Sequence, residues 1–140
     1  MSRVFWDTNL FIYLFEGYGR HSERARDLRR AMLERGDQLL TSTLTLGEVL
    51  VKPLERGDEE LARKYEVAIS TTSLMLPFDA KAARVYAGLR CDRSLRAPDA
   101  IQLACAAAAG VHLFITNDTR LHSKQVEGIQ FIVPFDRVPF

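Results

Sequence analysis

The amino-acid sequence predicts an α/β fold: a short parallel central sheet of four to five strands, flanked by helices that cover both faces. Three observations carry this prediction. Short apolar runs of strand length recur along the chain, the stretches between them place apolar residues at helical spacing, and Gly, Pro or Asp marks the seams. A chain of 140 residues buries about two-thirds of its unfolded surface on folding, enough for one core. With no repeat, linker or low-complexity segment, residues 1–140 are expected to form a single domain.

Arg3 to Trp6 reads as a buried strand, broken by Asp7-Thr8-Asn9 before the apolar helical run Leu10 to Phe15. After the Gly17-Tyr18-Gly19 turn, Ala25, Leu28, Met32 and Leu33 mark the apolar face of a helix that should stop near Gly36. Gln38 to Thr41 is the second strand. The Ser/Thr-rich Ser42 to Thr45 then leads into a helix ending near Leu54, with Pro53 close to its end. Leu61, Tyr65, Ala68 and Ile69 mark the next helix, and Leu74 to Phe78 the third strand. Asp79 is placed to cap a helix that runs to about Cys91. Ala97-Pro98-Asp99 opens a further helix, because Pro is favoured in the first turn, and Gly110 closes it. His112 to Thr116 is the fourth strand, Asn117-Asp118 turns the chain, and Ile129 to Val133 supplies a fifth.

Composition excludes several classes of function. With 47% apolar and 26% charged residues the chain lies far from the disordered regime. The longest apolar stretches, such as Leu103 to Val111, are too short to cross a bilayer, and no basic segment and signal-type apolar run opens the chain, so a soluble cytoplasmic protein is expected. Cys91 and Cys105 form no Cys-x-x-Cys, and no His pair stands at helical spacing, so neither a disulfide framework nor a zinc cage is indicated. Dinucleotide and P-loop glycine patterns are absent, and Ser73 and Ser94 lie in no nucleophile elbow. The formal net charge of +1 does not by itself point to nucleic acid; the distribution of charge matters more.

In an open parallel sheet, ligands bind beyond the carboxyl ends of the strands. That rule singles out Asp7 after the first strand, Asp118 after the fourth, and Glu48 and Asp99 near the starts of helices. Each acid also has a purely local role open to it. Asp7 suits an N-cap, Glu48 a capping box with Thr45, Asp99 the positive end of a helix, and Asp118 a turn. Together they imply more, because like charges at close range raise one another's pKa and a bound cation removes that penalty. Oxygen ligands without His or Cys suit hard ions such as Mg²⁺ or Mn²⁺.

With those acids in place the sequence resembles the PIN-domain nucleases, and specifically the stand-alone VapC-type toxins of toxin–antitoxin pairs. Four segments carry the resemblance: Val4 to Asn9, Thr43 to Leu50, Arg96 to Ala104 and Phe114 to Asp118. It implies a Rossmann-like domain, a divalent-metal site, endonucleolytic cleavage of RNA, homodimerisation and a cognate antitoxin. It also implies that Asp7 and Asp99 are the principal metal ligands, with Glu48 and Asp118 completing an acidic catalytic pocket and Thr8, Asn9 and Thr116 as supporting polar neighbours. Trp6 departs from the smaller aliphatic residue common at its position, which concerns packing rather than chemistry.

The expected reaction is hydrolysis by a metal-activated water aligned with the phosphodiester. Arg93, Arg96, Arg120 and Lys124 flank Asp99 and Asp118 in sequence and are the candidate phosphate contacts. The second basic cluster, Arg20, Arg24, Arg26, Arg29 and Arg30, is interleaved with Glu23, Asp27 and Glu34 and reads as a salt-bridged or partner-binding surface. The competing reading is a non-catalytic RNA-binding or protein-interaction domain of the same fold. An aspartyl-nucleophile phosphohydrolase is disfavoured, since Asn9 stands where a second acid is needed.

Overall fold

The computed structural model describes residues 1–140. Strands β1 (Arg3–Trp6), β2 (Gln38–Ser42), β3 (Leu74–Leu76), β4 (Val111–Thr116) and β5 (Ile129–Pro134) form one sheet, in the order β3-β2-β1-β4-β5. Every pairing is parallel, so every connection crosses over a face of the sheet. The crossovers carry six α-helices: α1 (Thr8–Phe15), α2 (Arg20–Arg35), α3 (Thr43–Glu55), α4 (Glu59–Thr72), α5 (Ala80–Leu89) and α6 (Ala97–Ala109). None is long and apolar enough to cross a membrane.

The two-residue period of β1 divides the core. Val4 and Trp6 point to one face and pack with Leu10, Phe11, Leu28, Met32 and Ile69 from α1, α2 and α4. Phe5 points to the other and packs with Leu103 of α6 and with Phe114, whose ring lies parallel to its own at 5.0 Å. Both faces are therefore covered, as the run of apolar residues in β1 requires.

The predicted strands and helices are present, with bounds that shift by a residue or two and one apolar position that falls off its buried face. The third strand ends at Leu76 rather than Phe78, because β2 offers its last partner at Ser42, and Pro77 has no N–H to continue a ladder. Phe78 is correspondingly exposed. The first helix starts at Thr8, so Thr8 and Asn9 form its first turn rather than a loop. Leu33 is 62% exposed, since a helix turns about 100° per residue and the position after Met32 swings off the buried stripe.

The strand order places the site. From β1 the chain runs outward to β2 and β3, then returns to lay β4 and β5 on the opposite side. The reversal between β1 and β4 opens a crevice at their carboxyl ends, where the loop and helix starts of both halves meet.

Candidate metal centre and its acidic crevice

That crevice, of about 560 Å³, is lined by Asp7, Glu48, Asp99 and Asp118, together with Thr8, Asn9, Arg96, Gln102, Asn117 and Arg120. The four acids come from four separate segments. Asp7 extends the β1 ladder by one residue, its N–H donating to the Ile115 carbonyl at 3.1 Å. Its carboxylate is held at both ends, Oδ1 accepting the Thr8 N–H at 2.9 Å and Oδ2 the Thr116 hydroxyl at 2.8 Å. Asp99 occupies the first turn of α6. Asp118 follows β4, its N–H donating to Thr116 Oγ1 at 3.0 Å. Glu48 reaches in from α3 and accepts the Thr8 hydroxyl at 2.6 Å.

The local roles open to the acids are realised unevenly. Asp7 does cap α1, and Asp118 caps the short 3₁₀ turn Thr119–Leu121 by accepting the Arg120 N–H. Glu48 completes no capping box. The cap of α3 is Ser42, which accepts the Thr45 N–H at 3.4 Å, while Thr45 turns its hydroxyl into the interior.

Burial drives the electrostatics of Asp7. Desolvation pushes its carboxyl up to about 6, and the nearby Asp99 and Glu48 charges add to the rise against the opposing hydrogen bonds from Thr116 and Thr8. Asp118 moves the other way, held below the usual carboxylate range chiefly by hydrogen bonding to the Arg120 guanidinium. Arg120 Nε donates to Asp118 Oδ1 at 2.9 Å, and its Nη2 also lies 3.9 Å from Asp99 Oδ2. Arg96 Nε stands 3.6 Å from the same Asp99 oxygen.

As the side chains stand, no three of His, Cys, Asp or Glu are grouped closely enough to grip an ion. Arginine supplies the countercharge at Asp118 and Asp99, whereas Asp7 has no cation beside it. The residues present nonetheless fit a divalent metal. All four donors are carboxylate oxygens, and the most buried, Asp7, is disfavoured as an anion chiefly by desolvation and further by the Asp99 and Glu48 charges, conditions that a hard cation offsets.

The supporting residues sort themselves by their hydrogen bonds. Thr8 and Thr116 each bond an acid directly, while Asn9 is an exposed residue at the crevice wall. Asn117 donates its amide to the Tyr13 hydroxyl at 2.9 Å. Of the four basic candidates, Arg96 and Arg120 line the crevice. Arg93 and Lys124 do not, and Lys124 instead donates to Asp92 at 2.8 Å and to Ser94 at 2.6 Å, fastening the turn before α6. That contact takes Asp92 down to about 2. His112 Nδ1 accepts the Arg3 N–H at 2.9 Å and His122 Nε2 lies 3.2 Å from the Thr116 carbonyl, so both have backbone partners.

Sequence reasoning missed Gln102. It is buried on α6, one turn after Asp99, and its amide nitrogen lies 3.0 Å from Thr8 Oγ1, 2.8 Å from Thr45 Oγ1 and 3.5 Å from Asp7 Oδ1. The signal was available: a primary amide inside the otherwise apolar run from Ala100 to Ala109 needs partners when buried.

Comparison with known proteins agrees with this architecture. A chain of the toxin–antitoxin complex from Klebsiella pneumoniae is 26% identical, with a TM-score of 0.66 over 91% of this chain and 95% of that one. Two solved structures share the fold at lower identity. For VapBC2 from Rickettsia felis bound to a promoter DNA fragment, the TM-score is 0.74 at 14% identity, over 94% of this chain and 97% of that one. For DNA-bound VapBC from Salmonella typhimurium it is 0.71 at 18% identity, over 96% and 99%. No curated protein sequence matches. The PIN domain model matches residues 4–127, a span that takes in every acid of the crevice, and on that match the chain belongs to the PIN domain family.

Proposed function

We propose that this protein is a divalent-metal-dependent endoribonuclease, the toxin of a toxin–antitoxin pair, that hydrolyses RNA phosphodiester bonds with Mg²⁺ or Mn²⁺. The observation that carries this reading is the convergence of Asp7, Glu48, Asp99 and Asp118, from four separate segments, on one crevice, where burial chiefly, and the Asp99 and Glu48 charges to a lesser degree, push the Asp7 carboxyl up to about 6. Holding an acid so unfavourably placed is costly for a fold with no cation to bind. Family membership supports nuclease chemistry in general, and the complexes named above support a cognate antitoxin as partner. The single domain of residues 1–140 is proposed to act in the cytoplasm as a homodimer.

Asp7 and Asp99 are the principal ligands in this proposal, with Glu48 and Asp118 completing the set. When bound, the cation supplies positive charge at the reacting phosphate and acidifies the attacking water. The chain's own residues do the rest. Thr116 and the Thr8 N–H orient the Asp7 oxygens, and the Thr8 hydroxyl orients Glu48. Arg96 and Arg120, at the crevice wall with most of their side chains exposed, receive backbone phosphates of the RNA and align them over the acids. Water is the nucleophile, so no covalent enzyme intermediate forms. Incubating purified protein with RNA tests the proposal: cleavage in Mg²⁺ or Mn²⁺ that stops with chelator supports it. RNA binding without cleavage in either metal refutes it and favours the non-catalytic alternative.

A further inference from the structure

We infer that Gln102 is a positioning residue that fixes the direction of the Thr8 hydroxyl, and through it the carboxylate of Glu48, in the metal site proposed above. The inference follows from donor and acceptor bookkeeping in a closed set of buried groups. Gln102 is 2% exposed, and Thr41, Ser42 and Thr45 are fully buried around it. Buried polar groups of this kind are required to satisfy one another.

The orientation of the amide is set first. Ser42 Oγ already accepts the Thr45 N–H, so its own proton is free, and it donates to the Gln102 carbonyl oxygen. The NH₂ end therefore faces Thr8 and Thr45, each of which must accept from it. Thr45 Oγ1 also accepts from the Thr41 hydroxyl at 2.8 Å, which is shared with the Trp6 carbonyl at 2.9 Å, so the amide and Thr41 together fill the acceptor sites of Thr45. Thr8 sends its proton to the only anionic oxygen in reach, Glu48 Oε1 at 2.6 Å.

The effect on Glu48 is specific. Glu48 is an exposed side chain on the second turn of α3, and the Thr8 hydroxyl is its one hydrogen-bond partner in the fold. Without the amide, an acceptor site opens on Thr45, 3.3 Å from Thr8 Oγ1, and competes with Glu48 for the Thr8 proton, so the hold on Glu48 loosens. Gln102 also stands one turn beyond Asp99 and 3.5 Å from Asp7 Oδ1, so one rigid helix sets the spacing of three acids. Groups that orient ligands from behind are worth roughly 10–100-fold in metal affinity elsewhere.

The test uses the full chain with Gln102→Met, which keeps the volume and removes the amide. Calorimetric titration with Mn²⁺ should show about tenfold weaker binding. RNA cleavage should show a lower kcat with little change in KM. Thr8→Ala should reproduce both losses, and the double variant should be no worse than either single one, since the two residues act in series. A structural role alone predicts a lower Tm with unchanged Mn²⁺ affinity and kcat in both variants, and that result overturns the inference. Should Gln102→Met fail to fold, Gln102→Leu, which also removes the amide, decides on the same readouts. A wild-type protein that binds no Mn²⁺ removes the proposed metal site itself, a failure distinct from equal binding by wild type and variants.

Discussion

Thr116 and Asp7, 109 positions apart in sequence, are joined by a hydrogen bond of 2.8 Å from the threonine hydroxyl to the aspartate Oδ2. The same threonine oxygen accepts the Asp118 N–H at 3.0 Å, so the last residue of β4 sets the place of two acids at once. Parallel register makes this possible, because β1 and β4 end side by side with Trp6 opposite Ile115.

Thr116→Val should therefore damage the site while sparing the core. The isosteric side chain leaves the Asp7 oxygen without its donor, and the carboxyl rises further above its present value of about 6. Cleavage of RNA should fall roughly tenfold, about 1.4 kcal/mol of lost transition-state stabilisation, with Mn²⁺ binding weakened in parallel. Full activity would show that Asp7 needs no such support.

Asp7 should also make stability depend on pH in metal-free buffer. Its folded-state pKa of about 6 lies above the unfolded value of 3.8, so the folded state binds the proton more tightly. The stabilisation is complete below the unfolded pKa and is lost as pH rises through about 6. Asp7→Asn removes this dependence, and at pH 7 with chelator it should gain on the order of 3 kcal/mol, a gain that shrinks toward zero below pH 4. Denaturant unfolding at the two pH values checks the sign.

Arg120 holds Asp118 by two side-chain hydrogen bonds and stands near Asp99, so a divalent cation has to compete with a guanidinium already in place. Arg120→Ala should tighten Mn²⁺ binding several-fold in a calorimetric titration. The same variant should bind RNA more weakly, with the slope of log K against log salt reduced by about 0.7, one phosphate contact on a single strand. Lys124→Ala should leave that slope unchanged, since its ammonium is tied to Asp92 and Ser94 outside the crevice.

Gly128 offers a test of the fold away from the crevice. Its φ of +99° is one that side-chain-bearing residues rarely adopt, and a Cβ there would lie 2.4 Å from the Ala107 carbonyl oxygen. Gly128→Ala should cost about 2–5 kcal/mol of stability, combining backbone strain with overpacking against the end of α6. Chemical denaturation would measure it, and a loss below 1 kcal/mol would mean that the β5 entry shifts freely.

What was legible in the sequence was whatever leaves a local signal. The strands were readable from short apolar runs, the opening of α6 from Pro98, and the acids from their positions just after strands or near helix starts. What was hidden depends on partners distant in the chain. Gln102 looks like one polar residue in an apolar helix until β2 brings Ser42 and Thr45 against it. Lys124 looks like a neighbour of Asp118, yet its partners are Asp92 and Ser94, some thirty positions earlier. Leu33 fits the apolar list of its helix but not the angle, and Phe78 belongs to an apolar run that its neighbour strand is too short to pair.

Convergence of distant acids on one hard cation is tested most directly by titrating Mn²⁺ into the wild-type chain and into Asp7→Asn and Asp99→Asn, each first shown to be folded. Saturable binding to wild type, weakened at least tenfold by either substitution, is the predicted result. Equal binding by all three proteins, or none by wild type, would contradict it.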